Sequence, residues 1–139
     1  MRDRDVVLTV VHEWIAKAEN DLKNATYTLK LGRECPTDTV CFHAQQSVEK
    51  YLKALLVREG VDFPKTHDLE VLTNLLPPRI RPRLTAGEQA GLTDYATGAR
   101  YPGWSDIPLT EARGAVRLAR RVRREARALL LGKDSRRKR

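Results

Sequence analysis

Apolar residues recur every three or four positions along almost the whole 139-residue chain, and no segment alternates apolar and polar residues as a strand would. Near the amino terminus the spacing is carried by Ile15, Ala18, Leu22, Ala25 and Leu29. It continues in Cys41, Ala44, Val48, Leu52 and Leu55. Because this spacing places apolar side chains on one face of a helix, the chain is predicted to be all-α.

Glycine, proline and capping residues divide the pattern into five helices. In chain order we expect a first helix that ends at Gly32 and a second helix over roughly 36–59. The third is expected from an N-cap at Thr66 to Pro77, and the fourth from a Thr85–Glu88 capping box to about 98. The fifth is expected from an N-cap at Thr110 to Gly132. Short connections predict an up-and-down bundle over residues 1–131. Residues 132–139 are predicted to be a disordered basic tail.

The net charge of +8 is concentrated at one end of the chain. Residues 1–109 carry 14 Lys and Arg against 15 Asp and Glu, whereas residues 110–139 carry 12 against 3. A broadly basic body that binds nucleic acid is therefore not supported. The last helix and tail could still bind nucleic acid, because seven arginines spaced along that helix are able to contact phosphates. The alternative explanation of these arginines is that arginine is a good helix former.

Length and composition exclude several classes of protein. A chain of 139 residues fits one domain, since about 100–200 residues per domain is typical. No apolar run approaches the roughly 18 residues of a membrane helix, and the first residues lack a signal-peptide core. Two cysteines, Cys35 and Cys41, are too few for a disulfide framework, and they do not have the spacing of a zinc site. We therefore expect no metal and no cofactor. These features predict a cytoplasmic protein.

The second helix carries a polar side opposite its apolar one. His43, Gln46, Lys50 and Lys53 lie at i, i+3, i+7 and i+10, which places them together. Two lysines with a glutamine and a histidine are able to hold an anion such as a phosphate. The alternative is a solvated face joined by a Glu49–Lys53 pair at i, i+4.

A histidine and an aromatic cluster are further candidates. His67, expected in the first turn of the third helix, is predicted to be neutral at the positive end of the dipole and suits either acid–base chemistry or a structural hydrogen bond. Residues 95–104 bring Arg100 beside two tyrosines and a tryptophan. That segment is able to stack a base and bind a phosphate, or to close the end of the bundle.

Three segments in order resemble the HEPN domain family (higher eukaryotes and prokaryotes nucleotide-binding). They are Ala-Gln-Gln-Ser-Val-Glu-Lys-Tyr-Leu-Lys-Ala-Leu-Leu over 44–56, Lys-Thr-His-Asp-Leu over 65–69, and Ala-Arg-Tyr-Pro over 99–102. The resemblance covers roughly residues 8–131 and implies a five-helix bundle that usually dimerises. Apolar positions on the first and last helices also favour a homodimer.

The resemblance implies two functions. Many small prokaryotic members act beside minimal nucleotidyltransferases in toxin–antitoxin modules, which predicts binding of a nucleotide or of such a partner. Other members are metal-independent ribonucleases with an arginine followed, after four to six residues, by a histidine. No such pair occurs in this chain, so a ribonuclease would have to assemble His67 and Arg100 in space. A third possibility is non-specific binding of nucleic acid through the last helix and tail.

The family's features, carried over by position, give the predicted nucleotide-binding residues. They are Gln46, Glu49, Lys50, Lys53, His67, Arg100 and Tyr101. Lys50, Lys53 and Arg100 would neutralise phosphate in one shared site. Tyr101 would stack on a base or offer a modifiable hydroxyl, and Glu49 would orient a neighbouring cation.

Overall fold

A computed structural model describes residues 3–99 and 101–131. The helices are α1 (Arg4–Leu29), α2 (Thr37–Arg58), α3 (Leu69–Leu75), α4 (Ala86–Thr97) and α5 (Leu109–Leu131). This part of the chain holds no strand, and the predicted all-α fold with five helices is confirmed. The predicted tail and Arg100 lie outside the described residues. None of the described helices has the length and apolar character needed to cross a membrane.

Helix α2 is the centre of the bundle and contacts each of the other four helices. Its predicted apolar residues are all buried, with Val48 and Leu52 completely enclosed. On the helices beside it, Ala18 of α1 and Ala119 of α5 are equally inaccessible. These small side chains let the helix backbones approach closely, so the core is thin between α1, α2 and α5.

Several helix ends follow the prediction. The turn after α1 contains Gly32 with a φ of 62°, a conformation that glycine adopts without strain. At the start of α4 the Thr85 hydroxyl accepts from the Glu88 backbone N–H, and the Glu88 carboxylate accepts from the Thr85 N–H, both at 3.0 Å. The predicted capping box is therefore confirmed.

Two predicted N-caps are wrong. The cap of α3 is Asp68, whose carboxylate accepts from the Glu70 N–H at 2.9 Å, while the Thr66 hydroxyl accepts from the Asp68 N–H at 3.0 Å. Thr66 thus stabilises the preceding turn, and His67 lies outside the helix, where the dipole argument does not apply. Helix α5 begins at Leu109, so Thr110 lies within its first turn.

Candidate functional site

The polar side of α2 is mostly buried rather than solvated. Glu49 is only 3% exposed and Lys53 only 8%, and Gln45 and Gln46 are buried with them. Together with His67, which approaches from the turn before α3, these residues form a group that we call the α2 polar cluster. A buried charged group is stable only when its hydrogen bonds are satisfied, so the contacts inside the cluster determine what it can do.

Glu49 is the centre of the α2 polar cluster. Its carboxylate accepts from Lys53 Nζ at 2.8 Å and lies 2.9 Å from His67 Nδ1. The side-chain amides of Gln45 and Gln46 each donate to it at 3.2 Å. Burial acts to raise the pKa of Glu49, but the hydrogen bonds from Lys53 and His67 outweigh it and hold the pKa below its ordinary value. The cluster is thus built around a carboxylate that stays ionised.

Aromatic rings enclose the lysine of this cluster. Lys53 Nζ lies 5.3 Å from the centre of the Trp14 ring and 5.7 Å from that of Phe63. The two rings meet edge to face. Ring faces attract a cation, which compensates part of the hydration that Lys53 loses on burial. The Glu49–Lys53 pair expected under the alternative interpretation is therefore present, in a buried form.

Lys50 is paired with a different carboxylate. Its Nζ donates to Asp21 at 2.5 Å, and His43 Nδ1 lies 2.8 Å from the other oxygen of Asp21. Burial acts to raise the pKa of Asp21, and the hydrogen bonds from His43 and Lys50 lower it by more. Each of the two lysines on α2 thus has a carboxylate beside it. A phosphate at either lysine would have to compete with that carboxylate.

Tyr101 lies at the other end of α2. It lines a hollow of about 520 Å³ together with Thr37, Asp38 and Trp104. With a rise of 1.5 Å per residue, Thr37 is about 20 Å along α2 from Lys50. The structure therefore brings together Gln46, Glu49, Lys53 and His67, pairs the adjacent Lys50 with Asp21 instead, and places Tyr101 at the far end of α2. Whether any of these residues contacts a nucleotide stays a prediction.

A groove between α1 and α5 is lined by many cations, and none of the predicted nucleotide-binding residues that the structure describes lies in it. We call it the α1–α5 groove; its volume is about 690 Å³. Six cationic side chains and one carboxylate line it: Lys23, Lys30, Arg120, Arg123, Arg124, Arg127 and Glu19. Leu22, Thr26 and Tyr27 complete the lining.

Only part of the positive charge in the α1–α5 groove is compensated. Glu19 accepts from Arg123 at 2.7 Å and from Arg127 at 3.4 Å. Four cations have no carboxylate partner among residues 3–99 and 101–131: Lys23, Lys30, Arg120 and Arg124. The exposed ring of Tyr27 lies beside them, with Lys30 Nζ 4.8 Å from its centre. This combination suits an anion that carries a flat ring.

The sequence contains a signal for this groove on each helix separately. Lys23, Tyr27 and Lys30 lie at i, i+4 and i+7 on α1, which places them on one face. The arginines of α5 include the matching series at 120, 124 and 127. Which faces of two helices meet is decided by tertiary packing, so neither series alone predicts the groove.

Comparisons with known proteins agree on the nature of the fold. The family model of the HEPN domain matches residues 11–129. The crystal structure of TT1696 from Thermus thermophilus is 26% identical with a TM-score of 0.67, covering 84% of this chain and 94% of that one. ST0689, described as an archaeal HEPN homologue, is 25% identical with a TM-score of 0.66, covering 86% and 97%. No curated protein matches the sequence.

Proposed function

This chain belongs to the HEPN domain family, and from that premise we propose that it is a non-enzymatic subunit that binds a nucleotide in the α1–α5 groove. One observation supports the location above all others. Lys23, Lys30, Arg120 and Arg124 line the groove together with the exposed Tyr27 ring, and within residues 3–99 and 101–131 none of the four has a carboxylate partner. The phosphates would take the positions that carboxylates occupy in an ordinary surface ion pair.

The chemistry of the groove fits the two ends of a nucleotide. Arginine and lysine bind phosphate oxygens through charge-assisted hydrogen bonds, and an exposed tyrosine ring stacks on a base. Glu19 remains ionised, since the hydrogen bonds from Arg123 and Tyr51 hold its pKa below the ordinary value against the effect of burial. Its charge is already compensated by Arg123, so it adds little repulsion. A volume of about 690 Å³ lies within the usual range for small-molecule sites.

Calorimetric titration with adenosine triphosphate tests this proposal. We expect Arg124→Gln and Lys30→Gln each to weaken binding by about tenfold, which corresponds to roughly 1.4 kcal/mol. Lys65→Gln is the matched control, because Lys65 is exposed and lies outside the groove. Equal binding by all of these proteins, or no heat with the parent, would overturn the proposal.

If the nucleotide binds instead at the residues predicted from the sequence, on α2 and at Arg100, the same titration gives a different result. If Lys50→Ala and Arg100→Ala abolish the heat while the groove variants bind normally, the nucleotide is bound there instead. Binding of RNA but not of the nucleotide, with a steep loss of affinity as salt is added, would favour the alternative of a nucleic-acid-binding adaptor.

We further propose a minimal nucleotidyltransferase as the partner, in a two-component module of the toxin–antitoxin type. The support is the resemblance at residues 44–56, 65–69 and 99–102, in the same order as in family members of that type. Co-expression with the neighbouring reading frame tests it. We expect the neighbouring frame to encode a nucleotidyltransferase that forms a stable complex with this chain. A neighbour of another class, or two chains that elute separately, would count against the module.

A metal-independent ribonuclease is the second candidate, and one contact favours it. The His67 side chain is 57% exposed, while its Nδ1 is held at 2.9 Å by Glu49. A carboxylate that orients one ring nitrogen leaves the other available for acid–base chemistry. The test is cleavage of RNA in the presence of a chelator, which His67→Ala should abolish and Lys65→Gln should preserve. Absence of cleavage by the parent protein would remove this candidate.

A further inference from the structure

A second groove lies on the side of α5 that faces α4. We call it the α4–α5 groove, and its volume of about 790 Å³ is within the usual range for small-molecule sites. Side chains bridge its two walls at both ends. Glu88 of α4 accepts from Arg121 of α5 at 2.9 Å, and Glu111 of α5 accepts from the Tyr95 hydroxyl of α4 at 2.5 Å. The two helices therefore run antiparallel, and the bridges are about 10.5 Å apart along α4.

The floor of the α4–α5 groove between the two bridges is apolar. Leu92 of α4 lines it together with Ala115 and Leu118 of α5. Glycines stand on both walls at the same level, Gly91 on α4 and Gly114 on α5. An occupant that contacts this floor therefore lies along the helices, between the bridges.

Packing within the chain does not require these two glycines. A Cβ at Gly91 would meet no atom within 4 Å, and one at Gly114 would meet only the end of the Arg117 side chain, at 3.6 Å. Neither glycine has a positive φ. Alanine would favour both helices, since glycine is a poor helix former. What the glycines provide is open space above the apolar floor.

Positive charge exceeds negative charge around the α4–α5 groove. Four arginines and two carboxylates line it, and both carboxylates already accept a hydrogen bond from the opposite wall. Arg117 is exposed, has no carboxylate partner among residues 3–99 and 101–131, and extends to the space above Gly114. An arginine fork binds a carboxylate through two parallel hydrogen bonds. An occupant should therefore combine an apolar body with a negative group.

We propose that the α4–α5 groove binds a free fatty acid of medium chain length, with its carboxylate bonded to Arg117 and its chain lying on the apolar floor. One charge at the end of an extended apolar chain matches the surplus of positive charge and the length of the floor. A nucleotide fits this groove poorly, because the Tyr95 ring in it is only 9% exposed and offers no open face to a base.

The position of the apolar surface favours a free molecule over a membrane lipid. None of the large apolar residues that are exposed in the described part of the chain lines the α4–α5 groove. Leu92 and Ala115 are 2% and 4% exposed, so the apolar surface is recessed between the helices. A recessed floor closed at both ends accepts a slender chain but presents little to a bilayer.

Calorimetric titration with sodium decanoate, below the concentration at which it forms micelles, tests the proposal. We expect the parent to bind decanoate and Gly91→Leu to abolish binding, because its side chain fills the open space. Gly87→Leu is the matched control, since Gly87 lies on the same helix outside the groove and its Cβ would meet only the Thr85 hydroxyl, at 3.9 Å. No binding by the parent, or equal binding by two variants with helical circular dichroism spectra, would overturn the proposal.

The carboxylate contact is tested separately. Arg117→Gln should weaken binding of decanoate about tenfold, because a charge-assisted hydrogen bond is lost, while Lys65→Gln should not. Decanol, which has the same chain and no charge, should bind the parent about tenfold more weakly than decanoate. These two comparisons decide the matter if Gly91→Leu does not fold. Equal affinity in either of them would overturn the proposal.

Other occupants of the groove give different results. Co-sedimentation with phosphatidylglycerol vesicles that Arg117→Gln abolishes, without binding of decanoate, would assign the groove to a lipid surface and overturn the proposal. A change in self-association caused by Gly91→Leu without ligand would assign it to a contact between subunits and overturn it as well. The outcome does not depend on nucleotide binding, which Lys30→Gln tests, because Lys30 lines the α1–α5 groove and not this one.

Discussion

His67 Nδ1 lies 2.9 Å from Glu49 Oε1, so a carboxylate buried in the centre of the bundle reaches a histidine ring at its surface. The Gln45 amide also donates to the His67 backbone carbonyl at 3.0 Å, which fixes the turn before α3. Through these bonds α2 positions a loop that has little regular structure of its own. The orientation of the His67 ring is therefore set by Glu49.

The first prediction concerns removal of that buried charge. Glu49→Gln leaves Lys53 buried without its carboxylate, and breaking a buried pair in this way costs about 3 kcal/mol or more. We expect the free energy of unfolding, measured in urea, to fall by that amount. Glu70→Gln, at an exposed glutamate of α3, should change it by less than about 0.5 kcal/mol. Similar losses in both variants would contradict the account of the cluster.

The second prediction is a pH dependence with a defined sign. Glu49 has a pKa below its ordinary 4.5 in the folded protein, so the folded state favours its ionised form. The resulting stabilisation is complete above the unfolded pKa and is lost as the pH falls through the lower folded value. We expect unfolding free energies of the parent to decline below about pH 4.5, and those of Glu49→Gln to decline less. Parallel curves for the two proteins would refute this assignment.

The third prediction contrasts two glycines at α4. Gly91→Ala should raise the free energy of unfolding by about 0.5–1 kcal/mol, because its Cβ meets nothing and the helix gains a better former. Gly98→Ala should lower it, since its Cβ would lie 2.9 Å from the Trp104 ring and force that ring to move. Melting temperatures should shift in opposite directions. Stabilisation by both substitutions would show that the Trp104 contact has no energetic role.

The fourth prediction concerns the thin core between α1 and its neighbours. Ala18 is fully buried, and Ala18→Leu should cost about 1–3 kcal/mol through overpacking. Ala16 is exposed on the same helix, so Ala16→Leu should leave the denaturation midpoint nearly unchanged. An equal response at both positions would mean that the helices separate easily to accept the larger side chain.

The helices could be predicted from the sequence because burial of a helix face is a periodic and local property. Val48 and Leu52 lie where their spacing predicts, and the Thr85–Glu88 box forms within four residues. The cap of α3 was not predictable in the same way, because Thr66 and Asp68 are both suitable. The choice involves a contact from α4, where the Thr93 hydroxyl accepts from the Leu69 N–H at 3.1 Å.

The candidate site was harder to predict, since spacing alone does not show what covers a polar face. Lys53 has the sequence context of an exposed helical lysine, yet rings from α1 and from the loop after α2 enclose it. Similarly, the arginines of α5 could be counted from the sequence, but their distribution between two sides of the helix required the neighbouring helices to be placed.

Arg120 and Arg124 line hollows on two sides of α5, one facing α1 and one facing α4, and each guanidinium can serve only one occupant at a time. A ligand that draws these side chains toward α1 removes them from the side facing α4. By thermodynamic linkage, an occupant on one side of α5 would then weaken binding on the other side by the same factor, in either order of binding. The helix would in this way couple two surfaces of the bundle through one pair of shared side chains.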